Sequence, residues 1–240
     1  MAQVAGAPRP AKVGFIHTTP PTIGMVERYM KECLPGTDFV HVYDGNVKIA
    51  NFRSPIGLTP KANLLRFAVF ADQLERAGCD LIVCCCSLMP RATAFAAQVV
   101  SVPFIQLDAV ILDRAVAQFQ HIGVINTTAY TVPYLEEGLY DRAARLGKQI
   151  QIEFSNTESA LDLFNAGELE EHDRIVLRDV RKLSEQGVDC VLMGQIPFAL
   201  MDQKLQGLGL KVPVLYAGRE AFQRVKELLE KRADAPREAQ

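Results

Sequence analysis

The chain has 240 residues, of which 49% are apolar and 22% are charged, with a formal net charge of −2 at pH 7. This is the composition of a globular protein that can bury a sizeable core, and it gives no reason to expect a nucleic-acid partner. No apolar stretch approaches the roughly 18 residues of a membrane span, so no membrane contact is expected. Residues 1–11 contain two prolines and no apolar segment of a secretory signal, which predicts a cytoplasmic location.

Short apolar runs alternate with amphipathic stretches along the whole chain. The predicted elements of the first half are strands at 12–16, 38–43, 81–84 and 103–107 and helices at 21–33, 59–76 and up to 118. Those of the second half are strands at 122–125, 149–154, 189–193 and 212–216 and helices at 130–146, 168–186 and 219–231. This alternation indicates an α/β fold built of βαβ units on parallel sheets.

The second half repeats the first at a fixed distance along the chain. Residues 13–19 match 122–128, and residues 80–83 match 189–192; both pairs give the same offset, since 122 − 13 = 189 − 80 = 109. Two separate segments with one offset indicate a duplication. We therefore expect two parallel-sheet halves related by a pseudo-twofold axis, with the active-site cleft between them.

The predicted domain boundaries follow from this repeat. The first half spans 12–118, its last helix packing on the other half, and the second half spans 119–230. The ends of the chain, 1–11 and 231–240, are polar or charged and lack apolar periodicity, so both are expected to be flexible.

Six cysteines are present: Cys33, Cys79, Cys84, Cys85, Cys86 and Cys190. Their spacing does not match a secreted disulfide framework or the C-x2-C pairs of zinc sites, so no metal is predicted. Isolated cysteines are usually buried apolar residues, which leaves the run of three as the unusual feature. That run is either packing or the place of one reactive thiol.

Ligands of open α/β sheets bind beyond the carboxyl ends of the strands. The polar residues predicted at these ends are His17, Thr18, Thr19, Cys85, Cys86, Ser87, Asn126, Thr127, Thr128, Tyr130, Gly194 and Gln195. A thiol can move a proton at carbon while hydroxyl and backbone N–H donors stabilise the resulting enolate. A thiol at the start of a helix also has a lowered pKa. Cys84 ends an apolar strand and is expected to be buried, whereas Cys85 and Cys86 lie at the turn.

Each of these residues also has a purely structural interpretation. The threonines can be helix caps, Tyr130 can be a core residue, and His17 can bond a backbone carbonyl. The three remaining histidines, His41, His121 and His172, show no partner pattern and are expected to be structural. No glycine-rich phosphate loop is present, so no nucleotide cofactor is predicted.

The two strand-and-turn motifs resemble the aspartate/glutamate racemase superfamily, which includes hydantoin racemases, maleate isomerase and arylmalonate decarboxylase. In that resemblance, the run from Leu81 to Ser87 places Cys85 in the catalytic position, Cys86 in an Asn-like position and Ser87 in the hydroxyl position. The segment from Thr128 to Tyr130 is similar to one in the decarboxylases whose Tyr helps to bind a negative oxygen.

The chain departs from the family pattern at two positions. Gln195 stands where the second catalytic Cys follows Gly194, and His17 stands where amino-acid racemases commonly carry Asp. Amino-acid racemases use two thiols, one on each face of the α-carbon, so two-thiol racemisation is not expected here. One thiol still suffices for an isomerase or a decarboxylase.

The resemblance thus implies a cofactor-independent isomerase or decarboxylase that acts on a small carboxylate, with Cys85 as the acid or base. Gln195 would donate a hydrogen bond or position a water, and the hydroxyls would hold the substrate oxygens. Two alternatives stay open: a catalytically silent ligand-binding protein and a redox-sensing thiol protein. A homo-oligomer is compatible with all three hypotheses.

Overall fold

A computed structural model of the chain describes residues 9–234. It contains two four-stranded parallel sheets, with the strand orders β2-β1-β3-β4 and β6-β5-β7-β8. Helices flank both sheets, so the predicted fold class is confirmed: an α/β protein of two similar halves.

The strands are β1 Lys12–His17, β2 Asp38–Tyr43, β3 Leu81–Cys84, β4 Phe104–Gln106, β5 His121–Asn126, β6 Gln151–Asn156, β7 Cys190–Met193 and β8 Val214–Leu215. The α-helices are α1 Pro21–Cys33, α2 Gly45–Phe52, α3 Lys61–Arg76, α4 Pro90–Ala96, α5 Ala109–Gln118, α6 Val132–Arg145, α7 Glu158–Ala166, α8 Leu169–Ser184, α9 Asp202–Gln206 and α10 Arg219–Asp234. Two 3-10 helices, Ala129–Thr131 and Ile196–Met201, precede α6 and α9.

The two halves repeat in strand register as well as in strand order. In the first sheet Val13 pairs with Leu81, and in the second Ile122 pairs with Cys190, so both partners are shifted by 109 residues. The offset found in the sequence is therefore also the offset between structurally equivalent residues of the central strands.

The largest apolar core lies between the two halves. It is built from inward-facing residues of both sheets together with α1, α5, α6 and α10. Helix α10 packs on α1, where Phe222 stacks on Tyr29 at 4.9 Å between ring centroids. Helix α5 of the first half contacts α6 and α10 of the second. A smaller core in each half fills the outer face of its own sheet.

The ends of the chain differ from the sequence-based expectation. Helix α10 continues to Asp234, so residues 231–234 of the predicted flexible tail are helical. Arg9 forms an ion pair with Asp80 at 2.7 Å, which ties the residues just before β1 to the sheet. The rest of the two predicted flexible ends, 1–8 and 235–240, lies outside the described residues. Within 9–234, no helix is long and apolar enough to cross a membrane.

Gly14 and Gly123 are equivalent positions of β1 and β5, and both lie against a leucine. A Cβ at Gly14 would meet Leu74 at 2.9 Å, and a Cβ at Gly123 would meet Leu183 at 2.8 Å. Gly14→Ala and Gly123→Ala should therefore each lower the free energy of unfolding by about 1 to 3 kcal/mol through overpacking. Urea denaturation measures this.

Gly24→Ala in α1 is the matched control, because a Cβ there meets no atom within 4 Å. Alanine is the better helix former by about 1 kcal/mol, so this variant should be as stable as the wild type or more stable. If all three variants are equally stable, the close helix–strand contact described for β1 and β5 is wrong.

Candidate active site

A cleft with an interior volume of about 70 Å³, partly open to solvent, lies at the carboxyl ends of the central strands of both sheets. The residues that line it are Thr18, Thr19, Lys48, Phe52, Cys85, Cys86, Ser87, Leu88, Thr127, Thr128, Thr131, Leu161, Phe164, His172, Gln195, Pro197 and Phe198. Both halves contribute to it, as the predicted fold requires.

A hydrogen bond between equivalent residues marks the pseudo-twofold axis at this cleft. The backbone N–H of Ile196 donates to Ser87 Oγ at 3.2 Å, and the two residues are 109 positions apart. A residue can touch its own equivalent only near the axis that relates them. The residues next to this pair, Cys86 and Gln195, therefore flank the axis and are themselves equivalent.

The surroundings of Cys86 and Gln195 match in detail. The Thr18 hydroxyl donates to Cys86 Sγ at 2.9 Å, and the equivalent Thr127 hydroxyl donates to Gln195 Oε1, also at 2.9 Å. The Thr127 backbone N–H donates to the same Oε1 at 2.7 Å. With Oε1 occupied in this way, the Gln195 amide group is left to offer its N–H donors to the cleft.

Cys85 has a different equivalent in the second half. Its backbone N–H donates to Ile16 O at 2.8 Å, just as the Gly194 N–H donates to Ile125 O at 2.8 Å. Cys85 also belongs to the apolar core between the halves and is 2% exposed, although it borders the cleft. The sequence-based pairing of Gln195 with Cys85 is therefore one residue out of register, and Cys86 takes that place.

The expected lowering of the thiol pKa is wrong. Burial raises the pKa of Cys84 and of Cys85 well above the ordinary range, and neighbouring negative charge adds to this. Burial also raises the pKa of Cys86. There it is opposed by the hydrogen bonds from the Thr18 hydroxyl and the Leu88 backbone and by the positive charge of Lys48. Burial therefore raises the thiol pKa by more than the expected position at the start of a helix lowers it.

Four of the predicted site residues do not line the cleft. Gly194 lies behind it, packed against Leu135. The Tyr130 hydroxyl donates to Phe52 O at 2.9 Å instead of facing a ligand. The side chain of Asn126 donates to Thr128 O and Asn156 Oδ1, at 2.8 and 2.9 Å. Asn126 and Tyr130 thus position other residues of the site.

His17, the fourth of these residues, is fully buried in a chain of hydrogen bonds. Thr22 donates its hydroxyl proton to Thr19 O, so it accepts from His17 Nδ1 at 2.8 Å. His17 Nε2 is then the acceptor for His41 Nδ1–H at 2.9 Å. Burial, reinforced by repulsion from His41, lowers the pKa of His17 to about 3. The expectation that His17 binds substrate is not supported by this placement.

The cleft contains a second set of residues that the sequence analysis missed. Helix α2 supplies Lys48 and Phe52, helix α7 supplies Leu161 and Phe164, and α8 supplies His172, which was expected to be structural only. For the residues of α2 and α7, the signal in the sequence is the capping of short helices. Asp44 accepts from Asn46 N–H at the start of α2, and Gly167 ends α7 with a positive φ.

A family model described as Asp/Glu/hydantoin racemase matches residues 22–225. The chain belongs to this family. The suspected superfamily resemblance is thereby confirmed. No protein with a curated description matches the sequence closely enough to support a comparison.

Solved structures of racemases share the fold of this Asp/Glu/hydantoin racemase family member. A glutamate racemase isoform from Bacillus anthracis is 18% identical, with a TM-score of 0.67 over 93% of this chain and 83% of that one. An aspartate racemase homologue from Pyrococcus horikoshii is 18% identical (TM-score 0.65; 93% and 99% covered). An allantoin racemase from Klebsiella pneumoniae is 17% identical (TM-score 0.64; 92% and 88% covered).

The buried histidine pair predicts a pH dependence of stability. Burial lowers the pKa of both His17 and His41, so the unfolded chain binds more protons than the folded one below pH 6.5. Stability should be full above pH 6.5 and fall as pH drops towards 3, with His17 contributing up to about 1.4 kcal/mol per pH unit. Urea unfolding between pH 7 and 4 measures this slope.

His17→Asn should make the slope of stability against pH shallower, because it removes one of the two buried imidazoles. Asparagine is chosen because Asn126 is the equivalent residue of the second half. Gln151→Asn, at an exposed position of β6 without a titrating group, is the control and should keep the wild-type slope. Equal slopes in all three proteins would contradict the assignment of a neutral buried pair.

Proposed function

We propose that this racemase-family protein is a cofactor-independent isomerase that moves a proton at the carbon next to a carboxylate through one thiol, Cys86. The observation that carries the proposal is the matched pair at the axis: Cys86 with Thr18 on one side, Gln195 with Thr127 on the other. This replaces the sequence-based choice of Cys85, whose equivalent is a glycine packed behind the cleft.

In the forward step, the thiolate form of Cys86 takes the α-proton. The electron pair of the C–H bond moves into the carboxylate to form an enediolate, which the hydroxyl donors of the cleft and the Gln195 amide stabilise. If the Cys86 thiol exchanges its proton with water before it returns a proton on the same face, the result is exchange with solvent and retention of configuration. A water held by Gln195 would return a proton on the opposite face, which gives inversion; the hydroxide left behind takes the proton from Cys86 and restores the thiolate.

The raised pKa of Cys86 favours a second candidate, a decarboxylase. At neutral pH a buried thiol is largely protonated and serves as a proton donor. The C–C bond of a substituted malonate would break, CO2 would leave, and the electron pair would remain on the α-carbon as an enediolate. Cys86 would then protonate that carbon and regain its proton from water.

Isotope exchange with matched cysteine variants tests the proposal. We expect Cys86→Ser to slow α-proton exchange in D2O, or CO2 release from phenylmalonate, by about 100-fold or more, because the acid–base group is lost. Cys85→Ser should leave the rate within a few-fold of the wild type. The probes are glutamate, aspartate, 5-benzylhydantoin and 2-phenylpropionate, followed by NMR.

The converse result is informative as well. If Cys85→Ser removes activity and Cys86→Ser does not, the assignment of the thiol is wrong. If no probe reacts with the wild type although ligands bind, the chain is the silent binding protein of the alternative hypothesis.

Gln195→Cys should supply the second thiol. The Thr127 hydroxyl is placed to donate to a sulfur there as Thr18 does to Cys86. We expect this variant to interconvert the enantiomers of a chiral probe at least about 10-fold faster than the wild type, because both faces then have an acid–base group. Chiral chromatography measures the rate.

Gln195→Ser is the matched control, since it removes the amide without adding a thiol. It should show no gain in the rate of enantiomer interconversion. A folded Gln195→Cys protein that behaves like Gln195→Ser would contradict the two-sided geometry of the cleft.

A further inference from the structure

We propose that the substrate is a carboxylic acid that carries an apolar substituent and no amino group, with Lys48 binding its carboxylate. This inference rests on the proposed function and specifies its substrate class. It is carried by the second set of residues in the cleft, those from α2, α7 and α8, together with Phe198.

Lys48 is the one lysine or arginine among the lining residues within 9–234, and burial lowers the pKa of its amino group from the ordinary value. Its Nζ donates to Asn165 Oδ1 at 3.1 Å and lies 5.6 Å from the centre of the Phe52 ring. It is also near enough to Cys86 for each group to affect the other's pKa. Lys48 and Cys86 line the same cleft, so a carboxylate bound at Lys48 would share that cleft with the thiol.

Aromatic and apolar side chains also line the cleft, together with His172, whose Nδ1 is hydrogen-bonded to Asp173 Oδ1 at 2.8 Å. Phe164 lies against the His172 ring at 5.4 Å, and His172 stacks on Phe198 at 6.4 Å between centroids. Leu161 and Phe52 extend this surface. Such a surface gains free energy by covering an apolar group and loses it by covering a charged one.

An amino group has no counter-ion in the cleft. None of the lining residues in the described part of the chain is Asp or Glu. Gln195 Oε1 already accepts from Thr127 twice, and the position where an acid is expected in amino-acid racemases holds His17, turned towards Thr22 and His41. An ammonium group would thus lose solvation in the cleft without gaining a negatively charged partner, which is unfavourable.

Calorimetric binding of a matched set of probes to the wild-type protein tests the inference. Phenylacetate has both required features, phenylacetamide lacks the charge, phenylglycine adds the ammonium group, and acetate lacks the ring. We expect phenylacetate to bind at least about 10-fold more tightly than each of the other three and than glutamate. Equal or tighter binding of phenylglycine or glutamate would overturn the inference.

Two variants connect the preference to its residues. Lys48→Met should weaken phenylacetate about 10-fold or more and leave phenylacetamide unchanged, while Lys31→Met, on the exposed side of α1, should change neither. Phe164→Ala should weaken phenylacetate and not acetate. If Lys48→Met and Lys31→Met bind phenylacetate alike, Lys48 is not the carboxylate site.

The binding measurements test the ligand class independently of the proposed proton transfer, because binding needs no turnover. Selective phenylacetate binding with no α-proton exchange in 2-phenylpropionate would keep the ligand class and overturn the proton transfer. Exchange in glutamate or aspartate, dependent on Cys86, would keep the proton transfer and overturn the ligand class.

Discussion

The hydrogen bond from the Ile196 backbone to Ser87 Oγ fixes the geometry on which the site depends. Because these residues are equivalents in a duplicated fold, their contact forces the carboxyl ends of the two central strands, β3 and β7, to face each other. Parallel sheets place polar turns at that edge, and the duplication doubles the set. The cleft is therefore a consequence of topology, and its chemistry is decided by which side chain follows each strand.

The two sides of the axis have the same backbone and different chemistry. Thr18 and Thr127 donate in the same way, but the first acts on a thiol and the second on an amide oxygen. The helices at the cleft differ too. Helix α2 contributes Lys48, and α7 contributes Phe164 as well as Asn165, which accepts a hydrogen bond from Lys48. A fold of two similar halves thus holds a cleft whose two sides differ in their side chains.

The sequence predicted most of the framework because buried parallel strands are apolar runs between amphipathic helices. The bounds of α1 and β2 were predicted to the residue, and the 109-residue offset reappears in strand register. The short helices α2 and α7 were missed, since Asp44-Gly45-Asn46 is also a typical turn sequence. Because these two helices were not predicted, Lys48 and the apolar residues of the cleft were not recognised. The choice of Cys85 as the equivalent of Gln195 was one residue out of register. The 109-residue offset already pairs Cys86 with Gln195, since 86 + 109 = 195. The direction of His17 depends on Thr22 and His41, which no local pattern reveals.

The alkylation rate of each cysteine in the folded protein tests the central claim, that Cys86 is the thiol of the cleft, most directly. Iodoacetamide treatment from pH 6 to 10, with peptide mapping, needs no substrate. Cys86, which is 7% exposed, should react before Cys84 and Cys85, which are 0% and 2% exposed, and its reaction should have a midpoint above the ordinary thiol pKa of about 8.5. Faster reaction at Cys85, or no reaction of any of the three before unfolding, would contradict it.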